Sequence, residues 1–307
     1  MIATLLLRQL VIFFLYMGAG FLLVKIGLLK SSDSKVLSVL TINVLIPCAI
    51  LKSYQVDYTK EIQSGFMLAL AVAVLSHLIL FGIAYGISAV KKLEPTEKAS
   101  IIYPNSANLI LPLLSGVMGE KYVIYASAYA CIQGLFLWTH CNSMMKGARN
   151  MDWKKAFLNL NLMAVILGII TFFSGHHLPQ LVIDTMGGFS SALGPISMIV
   201  IGMLLCDIDW KSLFSNKRVY FIVCLKMILI PLAAAAIFKY SPLPTLVADG
   251  KNILLVSLFA IMAPTATVVT QLAQIYNRDE KYAAAINVLT TVICIVTMPL
   301  LTLWYMN

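Results

Sequence analysis

Polar positions are scarce along this chain, and they cluster. Between the clusters lie apolar runs of membrane-spanning length, about 17 to 25 residues each, at 4–25, 33–54, 64–90, 98–119, 122–145, 155–173, 180–206, 217–238, 251–275 and 282–305. The pattern predicts an all-α integral membrane protein with ten transmembrane helices, here spans 1 to 10, joined by short connectors.

Two spans interrupt the pattern. The stretch "YPNSANLILPLLSGVMG", residues 103–119, places Pro104, Asn105, Ser106, Asn108 and Pro112 inside span 4, and "APTATVVTQLA" places Pro264, Thr265, Thr267 and Thr270 inside span 9. A proline in a helix removes one backbone hydrogen bond and disrupts another. In hydrocarbon each unsatisfied backbone group costs several kcal/mol. Such a position reads either as a kink bridged by Ser and Thr or as a true break held by protein or a wet cavity.

An internal repeat favours the break. Residues 104–122, "PNSANLILPLLSGVMGEKY", align without a gap on 264–282, "PTATVVTQLAQIYNRDEKY", and "VLIPCAI" at 44–50 pairs with "ALGPISM" at 192–198, matching Pro47 to Pro195. Residues 1–149 and 150–307 then form two five-helix units. Because five is odd, the second enters the bilayer inverted, the plan of many secondary transporters. Spans 4 and 9 are equivalent in this scheme and are expected to cross as broken helices near Pro112 and Pro264. Their half-helix N-termini would offer free N–H groups and partial positive charge to an anion. Asn105, Ser106, Asn108, Thr265, Thr267 and Thr270 would supply side-chain hydrogen bonds at the same depth.

Composition narrows the class. Of 307 residues, 60% are hydrophobic and 11% charged, against about 25% charged in soluble domains. The net charge of +9 does not point to nucleic acid, because the basic residues are dispersed at helix ends. One set of alternate connectors holds Lys25, Lys30, Lys35, Lys91, Lys92, Lys98, Lys146, Arg149, Lys154, Lys155, Lys211, Lys217, Arg218, Arg278 and Lys281; the other holds Lys52, Lys60, Lys121, Lys239 and Lys251. The positive-inside rule makes the first set cytoplasmic and puts both termini outside. The opening "MIATLLLRQLVIFF" has neither the basic n-region nor the cleavage site of a signal peptide.

The cysteines, Cys48, Cys131, Cys141, Cys206, Cys224 and Cys294, sit in apolar runs without metal-like spacing and read as small buried hydrophobes. No metal or cofactor is implied, and no HExxH, GxSxG, Walker loop or GxGxxG occurs, so the chain does not read as an enzyme. His176 and His177 fall in a short outer connector.

The remaining intramembrane polar groups are candidates for the transport pathway. Lys226 lies near the middle of span 8, where a lysine costs about 2.5–3.5 kcal/mol on insertion scales. It either neutralises a substrate carboxylate or replaces a cation by pinning the broken helices through their carbonyls. His77, on span 3, is a proton relay or a hydrogen-bonded packing residue. Asn43 and Gln133 are expected to face the cavity, and His140 to serve a structural role near the cytoplasmic end of span 5. All thirteen acidic residues fall in connectors or at helix ends. That disfavours the buried-aspartate chemistry of proton and sodium antiporters, although hydroxyl and backbone oxygens remain open to sodium.

The segments "GFLLVKIGLLKSSDSKVLSVLTINVLIPCAIL", "NSANLILPLLSGVMGEKYVIYASAYACIQGLFLW", "KMILIP" and "APTATVVTQLA", in this order from about Gly18 to Trp304, resemble the auxin efflux carrier family. The resemblance implies spans 1, 2, 6 and 7 as a scaffold, spans 3–5 and 8–10 as a mobile transport unit, an elevator-type motion, and a homodimer joined through the scaffold. It also implies a small organic anion as substrate, such as malate, malonate or an auxin-like indole acid. The connector "KGARNMDWKK" is short, so the long cytoplasmic loop of many plant members has no counterpart here. The expected function is therefore a secondary transporter or potential-driven facilitator in the cytoplasmic membrane. A sodium-coupled organic-anion symporter of the bile-acid-transporter type and a non-transporting membrane sensor are the alternatives.

Overall fold

A computed structural model describes residues 2–148, 158–206 and 217–307. The expected junction of the two halves at 149/150, the first residues of span 6, and Arg149, Asp152, Lys154, Lys155, Asp207, Asp209 and Lys211 lie outside the described residues. The described chain is almost wholly helical: α1 (Ile2–Lys25), α2 (Ser31–Ser53), α3 (Lys60–Lys91), α4 (Pro95–Ile102), α5 (Ser106–Val117), α6 (residues 123–146), α7 (Leu160–Ser174), α8 (Gln180–Leu205), α9 (Lys217–Tyr240), α10 (Gly250–Met262), α11 (Thr267–Ile275) and α12 (Glu280–Met306). Among the described residues, six helices are long and apolar enough to cross a bilayer, namely α1, α2, α3, α8, α9 and α12. Shorter apolar helices, α5, α7 and α10, accompany them. This is the form of an integral membrane protein.

Prolines shape the helices in two different ways. Pro47, Pro112 and Pro231 each follow a wide π turn, at Thr41–Leu45, Ser106–Ile110 and Leu225–Leu229 respectively. A proline ring collides with the carbonyl four residues back, and a wider turn draws that carbonyl away, so the chain stays helical. Pro104 and Pro264 instead fall where the helix stops altogether, between α4 and α5 and between α10 and α11. The break in the first half is therefore at Pro104, not at Pro112 as expected.

The helices close on one continuous apolar core running from Leu6 to Tyr305. Helices α1 and α8 approach closely: a Cβ on Gly20 would strike the backbone of Ile199, and one on Gly202 the backbone of Met17. Without a hydrophobic driving force between helices in lipid, such small residues permit the tight van der Waals contact that joins them. At the basic end of the chain's connectors, Glu97 is fully buried. Its carboxylate accepts from the Arg218 guanidinium at 2.7 Å, from Tyr282 Oη at 2.8 Å and from the backbone N–H of Glu94 at 2.7 Å. This cluster ties α4 to α9 and α12.

Candidate functional site

The two breaks meet. Asn105 donates its backbone N–H to the carbonyl of Pro264 at 2.7 Å, and Ala266 donates its N–H to the carbonyl of Tyr103 at 2.9 Å. Pro104 and Thr265 thus form a single antiparallel bridge between otherwise helical segments.

Several carbonyls released by the breaks have new donors. Pro104 has no N–H, so Ser100 loses its helical partner; Thr265 Oγ1 donates to that carbonyl at 3.2 Å. Gln133 Nε2, on α6, donates to the carbonyl of Pro104 at 2.6 Å, and its Oε1 accepts from Ser106 Oγ at 2.8 Å. In the second break Asn287 Nδ2, on α12, donates to the carbonyl of Thr265 at 2.7 Å. Thr290 Oγ1 accepts the Thr265 N–H at 3.1 Å. That diversion leaves the carbonyl of Ile261 without its helical donor, and Lys226 Nζ, fully buried, lies 3.5 Å from it. Asn287 and Thr290 were missed by sequence reasoning. Their signal is an "N-x-x-TT" cluster in an apolar span, as close behind the second break as Gln133 is behind the first.

A cavity of about 70 Å³ opens beside the crossing, lined on one wall by Asn105, Ser106, Ala107 and Asn108 and on the neighbouring wall by Ala266 and Val268. These are the first turns of α5 and α11, where N–H groups lack intrahelical carbonyls and the helix dipole is positive. Asn108 Nδ2 donates to Thr267 Oγ1 at 3.0 Å, linking the two helix starts. Asn105 is 3% exposed and its Nδ2 has no partner. Ile42, Ile46, Leu162 and Val165 supply an apolar floor, and Asn159 and Asn161 enter from the start of α7. Among the described residues, no lysine, arginine or histidine lines the cavity.

Several expected site residues lie elsewhere. Asn43 is exposed and turns its amide back to the carbonyl of Val39 at 2.8 Å, while Ile42 and Ile46 face the cavity. Asn43, expected in the cavity wall, lies inside the π turn Thr41–Leu45, whose wider pitch departs from α-helical spacing. Pro112 lines a separate cavity of about 210 Å³ with Phe13, Gly194 and Pro195, on the other side of α5. His77 is buried against the rings of Tyr129 and Phe136, with Nδ1 2.8 Å from the carbonyl of Ala73 and Nε2 unpartnered. His140 lies between two phenols: Tyr103 Oη is 2.7 Å from Nδ1 and Tyr85 Oη is 2.7 Å from Nε2. Thr270 carries a buried hydroxyl without a partner.

A family of membrane transport proteins matches residues 5–151 and 147–302, nearly the whole chain. The chain belongs to this family, that of the auxin efflux carriers. Family membership makes the protein a membrane transporter by kinship and accords with the crossed, broken helices beside a cavity. No curated protein matches the chain.

Proposed function

We propose that the protein is a secondary transporter, or potential-driven facilitator, of a small organic anion across the cytoplasmic membrane. It would work with ten spans arranged as an inverted five-plus-five repeat, both termini outside, and an elevator-type motion of spans 3–5 and 8–10 against a dimeric scaffold of spans 1, 2, 6 and 7. The reading rests chiefly on one observation: the cavity is bounded by the starts of α5 and α11 and by the unpartnered amide of Asn105, all hydrogen-bond donors. Donors and positive helix ends, with no cation among the described lining residues, suit an anion that must be released as well as bound. The space accommodates only a few water-sized groups, which favours a short aliphatic acid over an indole acid. Lys226 fits the second of its two roles, holding the broken helix by its carbonyl, because it reaches Ile261 and does not line the cavity.

One feature favours the sodium-coupled alternative. A void of about 10 Å³ beside Asn108 is lined by the neutral oxygen-bearing side chains of Ser38, Thr41, Ser197, Thr267 and Gln271. It has room for one water-sized group, and hard monovalent cations take neutral oxygens.

A thermal-shift screen of the purified protein against short mono- and dicarboxylates and indole acids, each with and without sodium, tests both readings, since specific binding stabilises by mass action. Stabilisation by a short acid, followed by its flux in proteoliposomes, is the expected result. A sodium requirement would select the symporter, and neither binding nor flux would leave the sensor.

A further inference from the structure

Buried polar atoms in a membrane protein nearly always find partners, so those that do not are informative. Two belong to residues that line the same cavity. Asn105 Nδ2 is a donor without an acceptor, and Asn161 Oδ1 is an acceptor without a donor. They come from different parts of the fold: Asn105 starts α5 at the crossing, whereas Asn161 lies in the first turn of α7. Asn159 sets the geometry on that side. Its own Oδ1 caps the helix by accepting from the backbone N–H groups of Asn161 and Leu162 at 2.9 and 3.4 Å, so Asn161 is not needed as a cap.

Charge limits the ligand further. With no cationic side chain in the lining among the described residues, one carboxylate can be held by neutral donors and helix ends. A second carboxylate in the same apolar-floored space would be uncompensated and costly.

We infer that the site selects small singly charged acids carrying a hydroxyl beside the carboxylate, with Asn105 donating to the carboxylate and Asn161 accepting from the hydroxyl. This rests on the anion-transporter reading and narrows it to a 2-hydroxy monocarboxylate of about the size of glycolate or lactate. The balance of donors and acceptors carries it. A simple acid such as acetate or propionate satisfies Asn105 but leaves Asn161 Oδ1 desolvated and unpaired. Sites built to bond a hydroxyl discriminate strongly against analogues that lack it for this reason.

Matched pairs test the assignment. Binding of lactate against propionate, and of glycolate against acetate, is measured by thermal shift and calorimetry on the full-length protein, with flux in proteoliposomes as the second readout. The wild type is expected to bind each hydroxy acid at least tenfold more tightly than its deoxy partner. Asn161→Leu should bring that ratio close to one by weakening only the hydroxy acids, and Asn105→Ala should weaken all four acids while keeping the ratio. Asn161→Asp, which retains an acceptor but adds a charge, should weaken every acid and thereby report that position 161 faces the ligand. Equal wild-type binding within each pair, or a ratio unaffected by Asn161→Leu, overturns the assignment and leaves the anion reading standing. If none of the acids binds while a dicarboxylate does, the single-charge inference is wrong; if no carboxylate binds at all, both readings fall.

Discussion

Lys226 reaches the carbonyl of Ile261 across 3.5 Å of fully buried space, at the last turn of α10 before the chain breaks. A helix end of this kind carries partial negative charge, so the ammonium supplies what the interrupted backbone lost. Lys226→Met is expected to lower transport about tenfold or more, the scale of one charge-assisted hydrogen bond. Removing the donor leaves the Ile261 carbonyl buried and unpaired, at about 1–3 kcal/mol, so the melting temperature should fall modestly as well. Proteoliposome flux alongside a melting curve separates the two effects, and wild-type flux in the methionine variant would remove Lys226 from the mechanism.

Pro104 keeps the first break open. Pro104→Ala restores an N–H that can return to Ser100, in competition with Thr265 Oγ1, and permits a continuous helix. Transport should fall while expression is normal. Pro112→Ala, within the π-turned helix on the far side of α5, should have the milder effect on flux. The reverse ranking would move the functional break to Pro112.

Gly202 marks the contact of α1 with α8. A side chain there must displace the backbone of Met17, and overpacking of this kind costs about 1–3 kcal/mol. Gly202→Val should therefore lower the melting temperature by several degrees, whereas Gly188→Ala, with open space at its Cβ, should not. Equal melting temperatures for the two variants would contradict the close approach.

Arg218→Met leaves the Glu97 carboxylate buried with only Tyr282 and a backbone N–H. Removing one partner from a buried ion pair typically costs about 3–5 kcal/mol; since Arg218 is itself partly exposed, the loss should lie at or below the lower end. The double variant Arg218→Met, Glu97→Gln should recover part of it in a thermal melt. Absence of any recovery would mean the pair is not coupled.

In a cysteine-free background, a single cysteine at Ser174 is expected to react with an impermeant thiol reagent from outside the cell, and one at Lys92 only after permeabilisation. The opposite pattern would invert the proposed topology.

Much of this was legible in the residues. Run length marked a helical membrane protein, with six long apolar helices among the described residues, and the prolines with their amides marked the two interrupted segments, because broken backbone in hydrocarbon needs local compensation. What could not be read was how each proline is absorbed. Pro104 and Pro112 look alike in sequence, yet a π turn accommodates one and the chain stops at the other. Another π turn, Thr41–Leu45, contains Asn43 and turns it out of the cavity wall. Asn159 and Asn161 escaped notice because two amides at the start of an apolar span resemble an ordinary helix cap, and only the packing against α2 and α5 makes them walls of a cavity.

The crossing itself is secured by two main-chain hydrogen bonds, Asn105 to Pro264 and Ala266 to Tyr103. Main-chain atoms are common to nearly every amino acid, so the side chains that face the cavity without bonding the junction can vary while Thr265, Gln133, Asn287 and Thr290 hold its freed backbone groups. Under the proposed function, selectivity and architecture would then lie on different atoms, the cargo met by side chains and the knot tied by backbone.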